Sequence, residues 1–203
     1  MESPRVPIFP LNTVLFPGGL LPLRVFETRY MDMTRDCLKR NQPFGVCLIR
    51  QGSEVGAPAV PEGLGCLAKI LECDMQQQGI LNLKTCGGRR FRILERQTST
   101  QGLISAEVEL IAPDASVAVP EEFADCVRLL EMVVVDQGRS IFAEPHAFDD
   151  AAWVGYRLTE ILPVPLLAKQ KLLELTDSIG RLSVLQRFLE GRGLAASKPP
   201  AET

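Results

Sequence analysis

One histidine and one tryptophan occur among the 203 residues, and aromatic residues make up only 6% of the chain. Histidine is the side chain most often used as a general base, so acid–base catalysis at neutral pH would depend on His146. This histidine follows Pro145 in a polar stretch that also contains acidic residues: Glu144, Asp149 and Asp150. Such a setting is typical of a surface residue. We therefore predict no catalytic residue, and a small-molecule hydrolase is the weakest functional hypothesis.

The cysteines lack the spacing of a metal site. They are scattered along the chain, and no two form a C-x-x-C pair: Cys37, Cys47, Cys66, Cys73, Cys86 and Cys126. Metal sites usually contain closely spaced ligand pairs, because a tight turn brings two ligands to the same ion. We therefore predict neither a metal site nor a cofactor. We expect the cysteines to be small buried apolar residues in a reducing compartment.

The sequence has no membrane span, secretory signal or nucleotide-binding loop. No apolar run approaches the ~20 residues that a membrane span requires. Residues 1–5 lack the basic and apolar regions of a secretory signal. The glycine-rich segment 51–65 lacks the lysine of a P-loop, since Cys66 and Leu67 follow it. These absences predict a cytoplasmic protein that does not bind membranes.

The charges of the chain nearly balance, with 22 basic and 25 acidic residues and a net charge of −3. Such a chain has no overall field that would attract nucleic acid or an anionic membrane. Hydrophobic residues make up 46% of the chain, which is close to the globular average. The composition therefore predicts a globular protein of one or two domains with a substantial core.

The apolar stretch 7–30 is the most informative part of the sequence. Four prolines interrupt it: Pro7, Pro10, Pro17 and Pro22. Because proline lacks a backbone N–H and fixes φ, these residues exclude one continuous helix or central strand. The stretch predicts two short extended segments, 6–11 and 20–24, joined by a turn at 17–19. A helical pattern begins near Phe26.

The remaining pattern predicts a β-rich front half and a helical rear half. After a strand at 44–50, four strand-like segments indicate a meander or partly closed barrel: 66–75, 80–87, 89–98 and 103–111. Helical periodicity then predicts four helices, which begin near Pro120, near Trp153, at 166 and at Asp177 or Ser178. We predict an α+β chain with a β-rich subdomain at 1–117, a helical-bundle subdomain at 118–192 and a disordered tail at 193–203.

Two separated stretches carry a family pattern. The first reads Pro-Ile-Phe-Pro-Leu at 7–11, Val-Leu-Phe-Pro-Gly at 14–18 and Pro-Leu-Arg-Val-Phe at 22–26. The second reads Leu-Pro-Val-Pro at 162–165 and Lys-Gln-Lys-Leu-Leu-Glu-Leu at 169–175. In this order they resemble the N-terminal, substrate-binding domain of Lon proteases, and the resemblance covers about residues 5 to 191.

The resemblance implies a PUA-like β-barrel subdomain followed by a C-terminal helical bundle. In full-length Lon proteases this domain helps to recognise unfolded substrates, whereas the ATPase and the Ser-Lys peptidase lie downstream. This chain contains no Walker lysine motif. We therefore expect a non-enzymatic, stand-alone module that binds unfolded polypeptide or a partner protein, such as a protease acting in trans.

Four apolar residues near the N-terminus are candidates for a peptide-binding groove: Phe16, Leu20, Leu21 and Phe26. The competing interpretation places them in the core of the β-rich subdomain and between the subdomains. A contiguous exposed apolar surface would favour the groove.

An RNA-binding PUA-like module is the alternative function. The basic residues concentrate in one stretch: Lys84, Arg89, Arg90, Arg92 and Arg96. Arg90 and Arg92 are two residues apart, so a strand would direct both to the same face. Glu95 interrupts this patch and no aromatic residue alternates with the arginines on that face, which favours a solvated strand face over a nucleic-acid site.

Overall fold

The computed structural model describes residues 3–193, apart from the side chain of Gln76. The strands are β1 (Arg5–Leu11), β2 (Leu20–Val25), β3 (Phe44–Gln51), β4 (Val60–Pro61), β5 (Leu64–Gln77), β6 (Ile80–Thr98) and β7 (Ile104–Leu110). The α-helices are α1 (Thr28–Arg40), α2 (Ala124–Gln137), α3 (Ala151–Ile161), α4 (Leu166–Glu174) and α5 (Ser178–Gly191). The structure thus combines strands in the front part with helices in the rear part, as the sequence predicts.

The described chain forms two compact units. The first contains residues 3–113 together with Pro165–Glu174, and the second contains Asp114–Val164 together with residues 175–193. This differs from the predicted division at 117/118, because α4 is hydrogen-bonded to strands of the first unit. Its Leu173 carbonyl accepts a hydrogen bond of 2.8 Å from Arg90. The predicted tail lies outside the described residues, apart from Gly193.

The strands of the first unit form one mixed sheet. Its order is β1-β7-β6-β5-β3-β4, with β2 paired to β6. Strand β1 also pairs with β3, in parallel, whereas the other strand pairs are antiparallel. The pairings therefore run from β1 through β7, β6, β5 and β3 and return to β1.

Strand β1 contains Pro7 and Pro10 although it has a partner strand on each side. The two partner strands pair with different residues of β1. Residues Arg5–Ile8 pair with β7, and Ile8–Leu11 pair with β3, so only Ile8 is shared. Each proline therefore has a strand on one side only, where its missing N–H need not interrupt a ladder.

Helix α1 packs one face against the core of the first unit, as the helical spacing predicts. Tyr30, Met33 and Cys37 are buried in a cluster with the alternate residues Phe9 and Leu11 of β1. The opposite face of β1 contributes to a second buried cluster, which contains Val6, Ile8, Phe91 and Val108. Both faces of β1 are thus covered, which explains why the sequence at 6–11 is almost uninterrupted in apolar residues.

The second unit contains a buried ion pair. Arg181 is fully buried, and its guanidinium lies 3.0 Å from the carboxylate of Asp114. The hydroxyl of Tyr156 donates to the same carboxylate at 2.8 Å, and the guanidinium lies 4.0 Å from the centre of the Tyr156 ring. Removing either partner of such a pair would destabilise the fold, because the remaining charge would be buried without a partner.

Strand β6 is continuous, so the predicted break at Gly87-Gly88 is wrong. Both glycines remain in the strand, and Gly87 also bonds to the turn that precedes β2. The Gly18 N–H donates to the Gly87 carbonyl at 2.7 Å, and the Gly87 N–H donates to the Gly19 carbonyl at 2.8 Å. A Cβ on Gly87 would overlap the Phe16 carbonyl oxygen and lie 2.9 Å from its carbonyl carbon. Here glycine allows a close backbone approach instead of ending the strand.

We predict that Gly87→Ala lowers the free energy of unfolding by about 1–3 kcal/mol, because the added methyl group meets backbone that has little room to move. Urea unfolding followed by far-UV circular dichroism measures this change. Gly88→Ala is the matched control, since a Cβ at Gly88 has its nearest neighbour at an ordinary 3.5 Å. Equal effects of the two substitutions would contradict the proposed close approach.

Candidate functional site

A groove of about 380 Å³ lies in the first unit, beside β2 and the start of α1. Its inner part contains the stacked rings of Phe9 and Tyr30, whose centres are 4.0 Å apart and whose planes differ by 19°. Both rings are buried in the core cluster under α1. Burial raises the pKa of the Tyr30 hydroxyl, and the nearby Arg29 opposes this rise. The phenol is therefore neutral at physiological pH, and the inner part of the groove is largely apolar.

Strand β2 forms one wall of the groove. Every residue from Leu21 to Val25 lines it, so the backbone of the strand borders the groove together with its side chains. Among the described strands β2 pairs with β6 alone, and its other edge is left without a strand partner. An unpartnered strand edge presents backbone donors and acceptors that an added segment can use.

The rim of the groove carries exposed apolar side chains. Phe26 is 53% exposed and Val55 is 54% exposed. Two carboxylates also lie at the rim: Glu54 accepts a hydrogen bond from the backbone N–H of Asn12, and Glu27 pairs with Arg29 at 3.0 Å. The groove thus offers apolar surface next to a free strand edge.

The structure brings two of the four predicted groove residues together. Leu21 lines the wall and Phe26 stands at the rim. Phe16 is fully buried and belongs to the core. Leu20 pairs with Cys86 at the start of β2 and does not line the groove.

Sequence reasoning missed Val55 and the Phe9–Tyr30 pair as groove residues. Val55 lies in the glycine-rich segment 51–65, which has no periodicity that would mark an apolar residue as functional. Phe9 and Tyr30 carry the pattern of ordinary core residues, and nothing in their spacing distinguishes the edge of a core from its centre. These residues can be recognised only once β1, α1 and the loop are placed together.

Arg90 and Arg92 do not form one basic face. Arg90 is only 2% exposed, and its guanidinium donates to the Leu173 carbonyl of α4 at 2.8 Å. Arg92 is exposed to solvent. Of the other basic residues in this stretch, Lys84 pairs with Glu72 at 3.2 Å. The expectation of a solvated strand face is therefore wrong for Arg90, because α4 packs over it, and the RNA-binding alternative is not favoured.

His146 lies in an aromatic cluster, which corrects its prediction as a surface residue. Its ring centre is 6.3 Å from that of Phe142, 5.8 Å from that of Phe148 and 5.7 Å from that of Trp153. Both ring nitrogens are buried, and no group in the described part of the chain hydrogen-bonds to them. The nearby carboxylates have other partners, since Glu144 pairs with Arg139 and Asp150 caps α3. No described residue thus hydrogen-bonds to His146 as a catalytic partner.

The cysteines show no sign of activation. Four are buried, Cys86 is half-buried and Cys73 is exposed. Burial raises the pKa of Cys47, and burial together with nearby Asp125 and Glu190 raises the pKa of Cys126 to about 12. A raised pKa keeps the thiol protonated and unreactive. Within the described residues, no cluster of histidine, cysteine and carboxylate side chains is suited to a metal ion. None of the described helices is long and apolar enough to cross a membrane.

Residues 5–191 match the family model of the ATP-dependent protease La (LON) substrate-binding domain. The chain belongs to this family. The match confirms the resemblance seen in the sequence, and it covers the substrate-binding domain without an ATPase or peptidase domain. The Lon protease of Cytophaga hutchinsonii is 27% identical over 206 residues, which cover 93% of this chain and 24% of that protein. The chain thus spans about a quarter of the length of that Lon protease.

Two solved structures of Lon N-terminal domains are similar to this one. The Lon N-terminal domain protein from Xanthomonas campestris is 35% identical with a TM-score of 0.77, and the match covers 91% of this chain and 98% of the other. The N-terminal domain of the Mycobacterium avium complex Lon protease is 18% identical with a TM-score of 0.66, and the match covers 92% and 98% of the two chains. At this low sequence identity, the similarity to the Mycobacterium avium complex domain shows a shared fold and nothing more.

We predict that Arg90→Ala lowers the free energy of unfolding by about 2–3 kcal/mol, because it removes a buried charged hydrogen bond to α4 and leaves a cavity. Arg92→Ala, on the exposed side of the same strand, is the control and is expected to change stability by less than about 0.5 kcal/mol. Urea unfolding midpoints measure both. If Arg90→Ala lowered the free energy of unfolding no more than Arg92→Ala does, the structural role of Arg90 would be contradicted.

We predict that iodoacetamide alkylates Cys73 first in the folded protein at pH 8. Cys47 and Cys126 are expected to react only after unfolding, because they are buried and their raised pKa values leave little thiolate at this pH. Peptide mass spectrometry at successive times, with and without urea, gives the order. Rapid alkylation of Cys126 in the native protein would contradict its burial.

Proposed function

We propose that this chain is a Lon-type substrate-recognition module whose groove beside β2 holds an extended segment of an unfolded polypeptide. The observation that carries the proposal is the combination of a free strand edge with exposed Phe26 and Val55 at the same groove. We also infer that the closed path of strand pairings is the PUA-like barrel that the family implies.

Recognition of this kind does not depend on a defined sequence. The backbone of the added segment bonds to the edge of β2, while alternate apolar side chains are buried against the groove. Unfolded polypeptides expose both features, whereas folded proteins conceal them. Pro22 removes one donor from this edge, which weakens pairing between two copies of β2 and leaves side-chain burial as the larger part of the affinity.

The module acts without chemistry of its own in this proposal. It binds polypeptide and presents it to a partner that supplies the ATPase and peptidase activities, such as a protease acting in trans. The support is that the family match covers the substrate-binding domain, together with the absence of a catalytic arrangement among the described residues. A cytoplasmic location stays a prediction.

We predict that replacing both Phe26 and Val55 by serine weakens binding of an unfolded polypeptide about tenfold, because burial of one Phe-sized side chain contributes about 1.5–3 kcal/mol. Fluorescence anisotropy with a labelled, reduced and carboxymethylated protein measures the affinity. Leu94→Ser is the matched control, since Leu94 is 54% exposed on β6 and does not line the groove.

The proposal requires micromolar binding by the wild-type chain and a selective loss in the double variant. Absence of binding by the wild-type chain, or equal losses in the double variant and in Leu94→Ser, would overturn it. The unfolding midpoint of each variant is measured in parallel, so that a loss of folding is not mistaken for a loss of binding.

A further inference from the structure

A second concave surface lies in the first unit, at the other end of α1. Two cavities of about 510 and 260 Å³ share Cys37, Gln42, Pro43 and Leu67 in their linings. Because they adjoin, they form one continuous depression, which we call the basic trough. It shares no lining residue with the groove beside β2. The two surfaces are therefore separate.

The floor of the basic trough is apolar. Met33 and Cys37 of α1 are buried beneath it, and three half-buried leucines from the sheet region line it: Leu67, Leu103 and Leu110. Half-buried leucines in a concave surface gain free energy when a partner covers them.

The rim of the basic trough is positively charged. Among the described residues that line it, Asp36 is the single carboxylate, whereas four are cationic: Arg5, Arg40, Lys69 and Arg89. Arg5 donates to the neutral side chain of Gln97, and Arg89 donates to the backbone carbonyl of Ile111. Within the described residues, neither Arg40 nor Lys69 forms a salt bridge. This charge accumulates locally although the whole chain has a net charge of −3.

We propose that the basic trough binds an extended, acidic and apolar segment of a partner protein. An extended segment directs alternate side chains to opposite sides, so apolar residues can cover the leucines while Asp or Glu residues turn toward the rim. The positive rim favours a partner segment that carries negative charge. A simple anion would leave the apolar floor uncovered, so the partner segment must also carry apolar side chains. No aromatic side chain among the described residues lines the trough, so this part of the chain gives it none of the stacking surfaces that single-stranded nucleic acids use.

The test uses the full chain and three labelled probes in fluorescence anisotropy. The probes are a peptide that alternates leucine and glutamate, the same peptide with glutamine for glutamate, and oligothymidylate. We expect the glutamate peptide to bind about tenfold more tightly than the glutamine peptide, and its affinity to fall as salt is added. Equal affinity for the two peptides overturns the proposal. So does tighter binding of oligothymidylate.

Paired charge reversals locate the binding. Arg40→Glu combined with Lys69→Glu is expected to weaken binding of the glutamate peptide about tenfold. Arg50→Glu combined with Arg96→Glu is the matched control, because it changes the net charge equally at exposed residues outside the trough. Equal losses in the two double variants would mean that only the overall charge matters, and the proposal would fail.

Two further double variants distinguish binding at the basic trough from a loss of folding and from binding beside β2. Arg40→Gln combined with Lys69→Gln removes the same charges without introducing acidic residues, and it is used if the charge reversal lowers the unfolding midpoint. Phe26→Ser combined with Val55→Ser should leave unchanged the difference in affinity between the glutamate and glutamine peptides, because recognition beside β2 does not depend on a defined sequence. Loss of that difference in this variant would assign the charge-dependent binding to the groove beside β2 and overturn the proposal.

Discussion

Strand β6 pairs with three other strands, and the arrangement of the first unit depends on it. Its residues pair with β2 at 81–86, with β5 at 80–92 and with β7 at 91–98. Gly87 is the tightest position, because the turn before β2 bonds to its backbone on the side where a Cβ would stand. Beyond this close approach, β2 pairs with β6 from Leu20 to Val25, and its opposite edge has no partner among the described strands. The candidate peptide groove lies beside β2.

Helix α1 separates the two candidate binding surfaces. Its first turn contributes Tyr30 to the groove beside β2, whereas the rest of the helix contributes Met33 and Cys37 to the basic trough. The groove offers a strand edge and apolar side chains, which suits unfolded chains of varied sequence. The trough adds positive charge, which suits a partner of defined character. One helix can thus support both general recognition and selective docking.

The order of strands and helices was predictable because it rests on local patterns. The prolines of 7–30 predicted β1 and β2, and the helical pattern from near Phe26 predicted α1, although the helix begins at Thr28 and Phe26 is exposed. The prediction was wrong at Gly87-Gly88, since a pair of glycines signals a turn in sequence and a close approach in space equally well. It was also wrong for Arg90, because periodicity shows which face a side chain occupies and cannot show that α4 will pack over that face. Of the four apolar candidates for the groove, Leu21 and Phe26 line it, while Phe16 belongs to the core.

The sequence alone determined the family, the α+β class and the succession of elements, because each depends on residues that are near one another in the chain. Only the tertiary structure decided which surfaces are available for binding. The basic trough collects Arg5, Arg40, Lys69 and Arg89 from four separate segments, whereas the basic stretch visible in the sequence is divided between buried Arg90 and exposed Arg92. The distribution of surface charge and the presence of an open strand edge depend on which distant segments of the chain lie next to each other. Backbone pairing across the sheet determines this arrangement.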